Sequence, residues 1–143
     1  MGLLYLAGIV NGKADLTSGE WLRGWLPELV ARIDMKAVGE VAIQMYSHDS
    51  EKWPGGAPSG VQFIEESSIQ VHCYPERDFI EIVLHSCKDI PDLDGVVLAI
   101  AEELDLDVRA YDYNRFADWR KLAEAHAPDY ATWPAALQAR MSA

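Results

Sequence analysis

The sequence predicts an α/β (α+β) two-layer sandwich, with helices covering one face of an antiparallel sheet. Three observations carry that expectation. Apolar runs of strand length recur along the first 115 residues. Two other segments repeat their apolar side chains at helical spacing. The resulting order, β-α-β-β-β-α-β, gathers strands in the middle instead of alternating them with helices, which favours antiparallel pairing.

Residues 3–10 form the first strand, closed by the turn pair Asn11-Gly12. No basic segment precedes this run and no small-residue cleavage site follows it, so it reads as a strand and not a leader. Thr17 and Glu20 fit a capping box, after which Trp21, Leu22, Trp25, Leu29, Val30 and Ile33 recur at helical spacing. Pro27 is expected to kink this helix or to start a second segment, because proline lacks the amide hydrogen. Residues 41–46 are a short second strand. Residues 51–60, with Pro54, Gly55, Gly56, Pro58 and Gly60, read as a loop. Residues 61–74 form one extended segment, which Pro75-Glu76-Arg77-Asp78 turns into a returning strand at 79–87. Val96, Val97, Ile100, Ala101 and Leu104 mark the second helix, and 108–113 the last strand. Residues 116–143 read as a helical tail broken near Pro128 and Pro134, so the domain proper is 1–115.

A chain of 143 residues with 50% hydrophobic content suits one domain with a real core. The net charge of −11 excludes a nucleic-acid binder as the simple reading, since phosphate would be repelled. It suits a cationic small molecule. Cys73 and Cys87 are the only cysteines and form neither a metal-ligand pattern nor a disulfide framework, so no metal is expected. No apolar run is long enough to span a bilayer, and a cytoplasmic protein without membrane partners is expected.

The chemistry concentrates in the central third. Ser67 follows Glu66 directly; Ser59 stands eight residues before it, His72 five after and Cys87 twenty after. Attack of the Ser67 hydroxyl on the Glu66 carbonyl would turn the peptide into an ester, and such a weak nucleophile needs a nearby base and an oxyanion stabiliser. The run Glu66-Ser67-Ser68-Ile69-Gln70-Val71-His72-Cys73-Tyr74-Pro75-Glu76, with Cys87 downstream, resembles the proenzyme of the prokaryotic S-adenosylmethionine decarboxylases. The likeness is strong from Trp53 to Cys87, holds in element order elsewhere, and is absent from the tail.

That resemblance implies an autocatalytic cut between 66 and 67, which converts Ser67 into a covalent pyruvoyl cofactor. Ser59 and His72 match the residues that assist the cut. The pyruvoyl carbonyl would form a Schiff base with the substrate's α-amine and act as the electron sink for loss of carbon dioxide. Cys87 matches the donor that reprotonates the product. Trp53 matches an aromatic that stacks on adenine, and Glu76 a carboxylate that holds the ribose. The implied enzyme is a carboxy-lyase of polyamine (spermidine) biosynthesis acting on S-adenosylmethionine.

Three positions depart from the family's pattern: Ser68 replaces the usual histidine, Val83 the usual aspartate, and no histidine follows Gly8. Relatives that decarboxylate L-ornithine or L-arginine are known, and by strand alternation Glu81 or His85 could read a cationic side chain. An unprocessed regulatory or structural relative is the reading from another functional class. Alternation has one more consequence. Ser67 and His72 point to opposite faces of a straight strand and lie roughly 16 Å apart along it. A bend in the strand could close that separation, but a homodimer with shared active sites, each Ser67 served by the partner subunit's His72, does so more naturally, and the resemblance implies the same assembly.

Taken singly, these residues have ordinary readings. His72 alone reads as a hydrogen-bonded strand histidine, Cys73 as a small core hydrophobe, Trp53 as a loop plug and Glu76 as a solvated turn residue. The conjunction at those offsets is what points to chemistry.

Overall fold

Strand-forming segments dominate, and they close into a single sheet. The computed structural model describes residues 1–46, 56–90 and 92–116, with 134–136 and 139 near the C-terminus. Trp53 and nearly all of the expected helical tail lie outside the described residues. The elements run β1 (Gly2–Val10), α1 (Gly19–Arg32), β2 (Ala37–Tyr46), β3 (Ala57–Ile64), β4 (Ser67–Tyr74), a 3₁₀ turn (Pro75–Arg77), β5 (Phe79–Ser86), α2 (Leu93–Leu104) and β6 (Leu106–Arg115). The six strands lie in the order β2-β3-β4-β5-β1-β6, and every pairing is antiparallel. An antiparallel α+β sandwich is therefore what the chain forms.

Period-two burial sets the two faces. In β4, Ile69, Val71 and Cys73 are buried while Ser68, Gln70, His72 and Tyr74 are half-buried. In β5, Ile80, Ile82, Leu84 and Ser86 are buried and the residues between them are not. The inward set packs with Leu22, Leu26 and Leu29 of α1 and with Ile100 and Leu104 of α2 in one core. Both helices therefore cover the same face, and the Arg32–Glu103 ion pair links them across their outer edge. The opposite face carries no helix among the described residues.

Several expectations are corrected. The helix is capped by Ser18, whose side chain accepts from the Trp21 amide at 3.1 Å, and not by Thr17, which bonds Asp15 instead. No second segment starts at Pro27, which lies inside the continuous α1. A helix-interior proline costs about 3 kcal/mol. Burying Leu22, Trp25, Leu26, Leu29 and Val30 outweighs it, at roughly 1.5–3 kcal/mol for each large side chain.

The stretch 57–60, expected as loop, is the start of β3. Gly60 is there for close approach: a Cβ at that position would sit 2.8 Å from Leu22 Cδ2 and 3.0 Å from Leu26 Cδ1 of the overlying helix. Pro58 is tolerated because pairing with β4 begins only at Ser59. The expected single segment 61–74 is two strands, folded back at Glu65-Glu66. No glycine, asparagine or proline marks that turn, so its sequence carries no ordinary turn signal. The last strand is longer than expected, running to Arg115.

The two edges are protected differently. On β2 a bulge follows Val38, and the buried Gln62 amide donates to the carbonyls of Val38, Gly39 and Phe63, fixing the irregularity. On β6, Asp107, Arg109, Asp112 and Arg115 charge the edge.

Candidate active site

The helix-free face holds a polar row made by register alone. Gln44 lies opposite Ser59, Ser59 opposite His72, and His72 opposite Glu81. Ser59 Oγ and His72 Nδ1 are 2.8 Å apart, one serving as donor and the other as acceptor according to the histidine tautomer. Tyr74, next on the same face, donates its hydroxyl to Glu81 Oε1 at 3.3 Å. Burial first, then the Glu81 charge, raises the phenol pKa of Tyr74, and the same two causes raise that of Tyr5.

Two cavities open beside the row. One, of about 220 Å³, is lined by Ser59, His72 and Tyr74 among others. The other, of about 400 Å³, is lined by Tyr74, Glu76, Arg77, Phe79 and Glu81. Tyr74 is the wall common to both, and the sequence reading did not single it out. Its two-residue spacing from His72 was the signal that could have found it.

Ser67 and Cys87 form a second cluster at the end of the sheet. Ser67 is the first residue of β4, directly after the Glu65-Glu66 turn. The Cys87 backbone N–H donates to Ser67 Oγ at 2.9 Å, and Cys87 Sγ lies 3.8 Å from the Glu65 carbonyl oxygen. Cys87 was expected as the last residue of its strand, sharing a face with Glu81, Val83 and His85. It stands instead one residue beyond β5, in a bend. The wholly buried Ser86 fixes that bend by donating to the Lys88 carbonyl at 2.6 Å and accepting the Lys88 N–H at 3.2 Å. A cavity of about 300 Å³ touches Ser67, Cys87, Lys88 and Lys36. Glu66 and Cys87 also border a neighbouring one, of about 550 Å³.

One chain thus joins Ser59 to His72 and Ser67 to Cys87, but it keeps the pairs apart. The β3–β4 register runs without a bulge from Ser67 to His72, so their side chains leave the strand on opposite faces. Glu76 is exposed in the 3₁₀ turn at the far end of β4 from Ser67.

The two thiols differ sharply. Burial pushes the Cys73 thiol up to about 12, whereas Cys87 is partly exposed. A thiol reagent at neutral pH is expected to label Cys87 and spare Cys73 in the folded chain. Equal labelling rates, read by peptide mass, would contradict the burial. Above the ordinary thiol value of 9.0 the unfolded chain ionises at Cys73 while the folded chain resists. That contribution to stability is therefore lost as pH rises from 9.0 toward about 12.

Comparison with known proteins adds the family. The family model described as S-adenosylmethionine decarboxylase matches residues 6–115. A crystal structure of the adenosylmethionine decarboxylase from Aquifex aeolicus VF5 superposes with a TM-score of 0.57 at 19% identity, over 80% of this chain and 87% of that one. That likeness establishes the fold. No curated protein matches the sequence at a significant level. No described helix is long and apolar enough to cross a membrane.

Proposed function

Because the chain belongs to the S-adenosylmethionine decarboxylase family, we propose that it is a self-processing, pyruvoyl-dependent decarboxylase of polyamine biosynthesis acting on S-adenosylmethionine. The observation that carries this reading is the setting of Ser67. It begins a strand, directly behind a hairpin turn, with its Oγ held by a backbone N–H. A cut between Glu66 and Ser67 severs the turn and leaves the β3–β4 pairs from Ser68 to His72 in place. The new end at Ser67 would lie at the head of the strand, beside a cavity, which fits a pyruvoyl group. When present, that group supplies the electron sink that makes loss of carbon dioxide from an amino acid tolerable.

The chain's own residues take the remaining tasks. Ser59 fixes the His72 ring, and His72 manages the Ser67 hydroxyl proton during cleavage. Cys87 holds, on Sγ, the proton that returns to the substrate's α-carbon. Glu76 and Glu81 hold substrate on the helix-free face, and Trp53 stacks on its adenine as the family resemblance implies. Since Ser67 and His72 leave β4 on opposite faces, a homodimer that brings the Ser67 end of each sheet to the partner's His72 row supplies each Ser67 with the partner's His72.

A second reading, L-ornithine or L-arginine as substrate, is favoured by one observation. The Glu81 carboxylate stands in the His72 row and engages Tyr74, where a cationic side chain would be neutralised. Intact mass of the purified chain tests cleavage and the pyruvoyl end together. Released carbon dioxide, measured with each candidate substrate, tests the rest. A chain that stays whole refutes the enzyme reading in favour of a silent subunit. Turnover of ornithine or arginine, with none of S-adenosylmethionine, selects the second substrate class.

A further inference from the structure

Five non-glycine residues among those described have positive φ: Asp34, Glu66, Asp78, Asp92 and Asp105. Four are aspartates, all at helix ends. Asp78, Asp92 and Asp105 are cap residues, and Asp34 follows the last turn of α1. A short aspartate tolerates the left-handed region and helix ends commonly use it. Glu66 fits neither description. It has φ 57° in the two-residue connection between Ile64 and Ser67, which pair directly across β3 and β4. A turn with positive φ at its second central residue favours glycine or asparagine there, and here a glutamate supplies it. Contacts on both sides hold the turn: the Cys87 N–H on Ser67 Oγ and the Cys87 thiol near the Glu65 carbonyl. Such a conformer persists only where its surroundings over-determine it.

We infer that the left-handed turn at Glu66 stores backbone strain that drives the peptide-to-ester step of chain cleavage, making Glu66 a positioning residue for maturation. The inference rests on the self-cleavage proposed above. In that step Ser67 Oγ bonds to the Glu66 carbonyl carbon, the carbon–nitrogen bond breaks, and the hydroxyl proton passes to the freed amine. The chain path then runs through Oγ and Cβ in place of nitrogen and is one atom longer. Glu66 is released to return to negative φ. Loss of the Ser67 α-proton next breaks the Cβ–Oγ bond and expels the Glu66 carboxylate. The dehydroalanine left behind takes up water and releases ammonia, giving the pyruvoyl group. Strain in the peptide form raises the ester population, and elimination from the ester commits the cut.

The test follows fragment formation in freshly made wild type, Glu66→Gly and Glu66→Asn, with hydroxylamine added to trap the ester. Glycine adopts this φ without strain, so Glu66→Gly is expected to slow cleavage by roughly five- to thirtyfold, the factor that relief of a left-handed residue implies. Its hydroxylamine-labile fraction falls by the same factor, and Glu66→Asn lies between. In an uncuttable Ser67→Ala background, Glu66→Gly is expected to unfold at no lower temperature, which damage to the turn could not produce. Wild type that cuts, with Glu66→Gly cutting as fast, overturns this inference alone. Slow cutting accompanied by a lower unfolding temperature overturns it too. Wild type that stays whole removes both this inference and the reading beneath it.

Discussion

Replacing Ser67 with alanine is expected to leave one uncut chain of 143 residues on a denaturing gel, where the proposed function predicts fragments 1–66 and 67–143 for wild type. The same variant releases no carbon dioxide from any substrate and traps no amine on borohydride treatment. The expected effect is total because, in the proposed function, the Ser67 hydroxyl is the nucleophile and the residue becomes the prosthetic group. No neighbouring hydroxyl substitutes: Ser68 points to the opposite face, and Ser59 is engaged with His72. Misfolding is not a competing explanation. The substitution removes one acceptor, from the Cys87 N–H, a loss of about 1–3 kcal/mol if that amide stays dry and less if water reaches it. The core of Leu4, Leu6, Ile69, Ile80, Ile82 and Leu84 is untouched. A cooperative thermal transition in the uncut variant confirms that it folds. Fragments appearing from Ser67→Ala would place the cut elsewhere and end the assignment of Ser67.

What was legible in the sequence, and what was not, divides along physical lines. Alternation on β4 and β5 was legible because one face is buried and the other is not, so the opposed directions of Ser67 and His72 followed from counting. The Glu81 side chain was placed on its face by the same argument. Gly60 and Pro58 misled because a glycine that lets a helix approach looks, in one dimension, like a glycine that breaks a strand. The Glu65-Glu66 turn was invisible for the opposite reason. Its conformation is imposed by strand pairing and Cys87, not by residues that prefer it. Cys87 itself was counted one residue too far along its strand, because the bend that removes it depends on bonds from Ser86 to Lys88 that no periodicity announces.

The separation of Ser67 from His72 leads to the second large effect, the behaviour of mixed dimers. His72→Ala alone is expected to remain uncut, since its Ser67 lacks the ring that manages the hydroxyl proton; Ser67→Ala alone is uncut as well. Co-expressed or refolded together in equal amounts, the two variants pair at random, and about half of the His72→Ala chains find a Ser67→Ala partner. In that hybrid, the intact Ser67 of one subunit meets the intact His72 of the other, while the second site lacks both. About half of the His72→Ala chains are therefore cut, and all Ser67→Ala chains stay whole, a pattern read by fragment mass with one variant isotopically labelled. A site completed within one chain predicts no cleavage in any mixture, because each variant carries its own defect. The unbulged register of β4 favours the shared site: bringing His72 to its own Ser67 would require abandoning the ladder bonds between them. The Ser59–His72 bond gives the mixture an internal check. Ser59→Ala in the Ser67→Ala chain, the one supplying the histidine, should slow the rescued cut by roughly ten- to a hundredfold, the loss of one hydrogen bond to a group that charges. Placed instead in the His72→Ala chain, it should leave that cut unchanged.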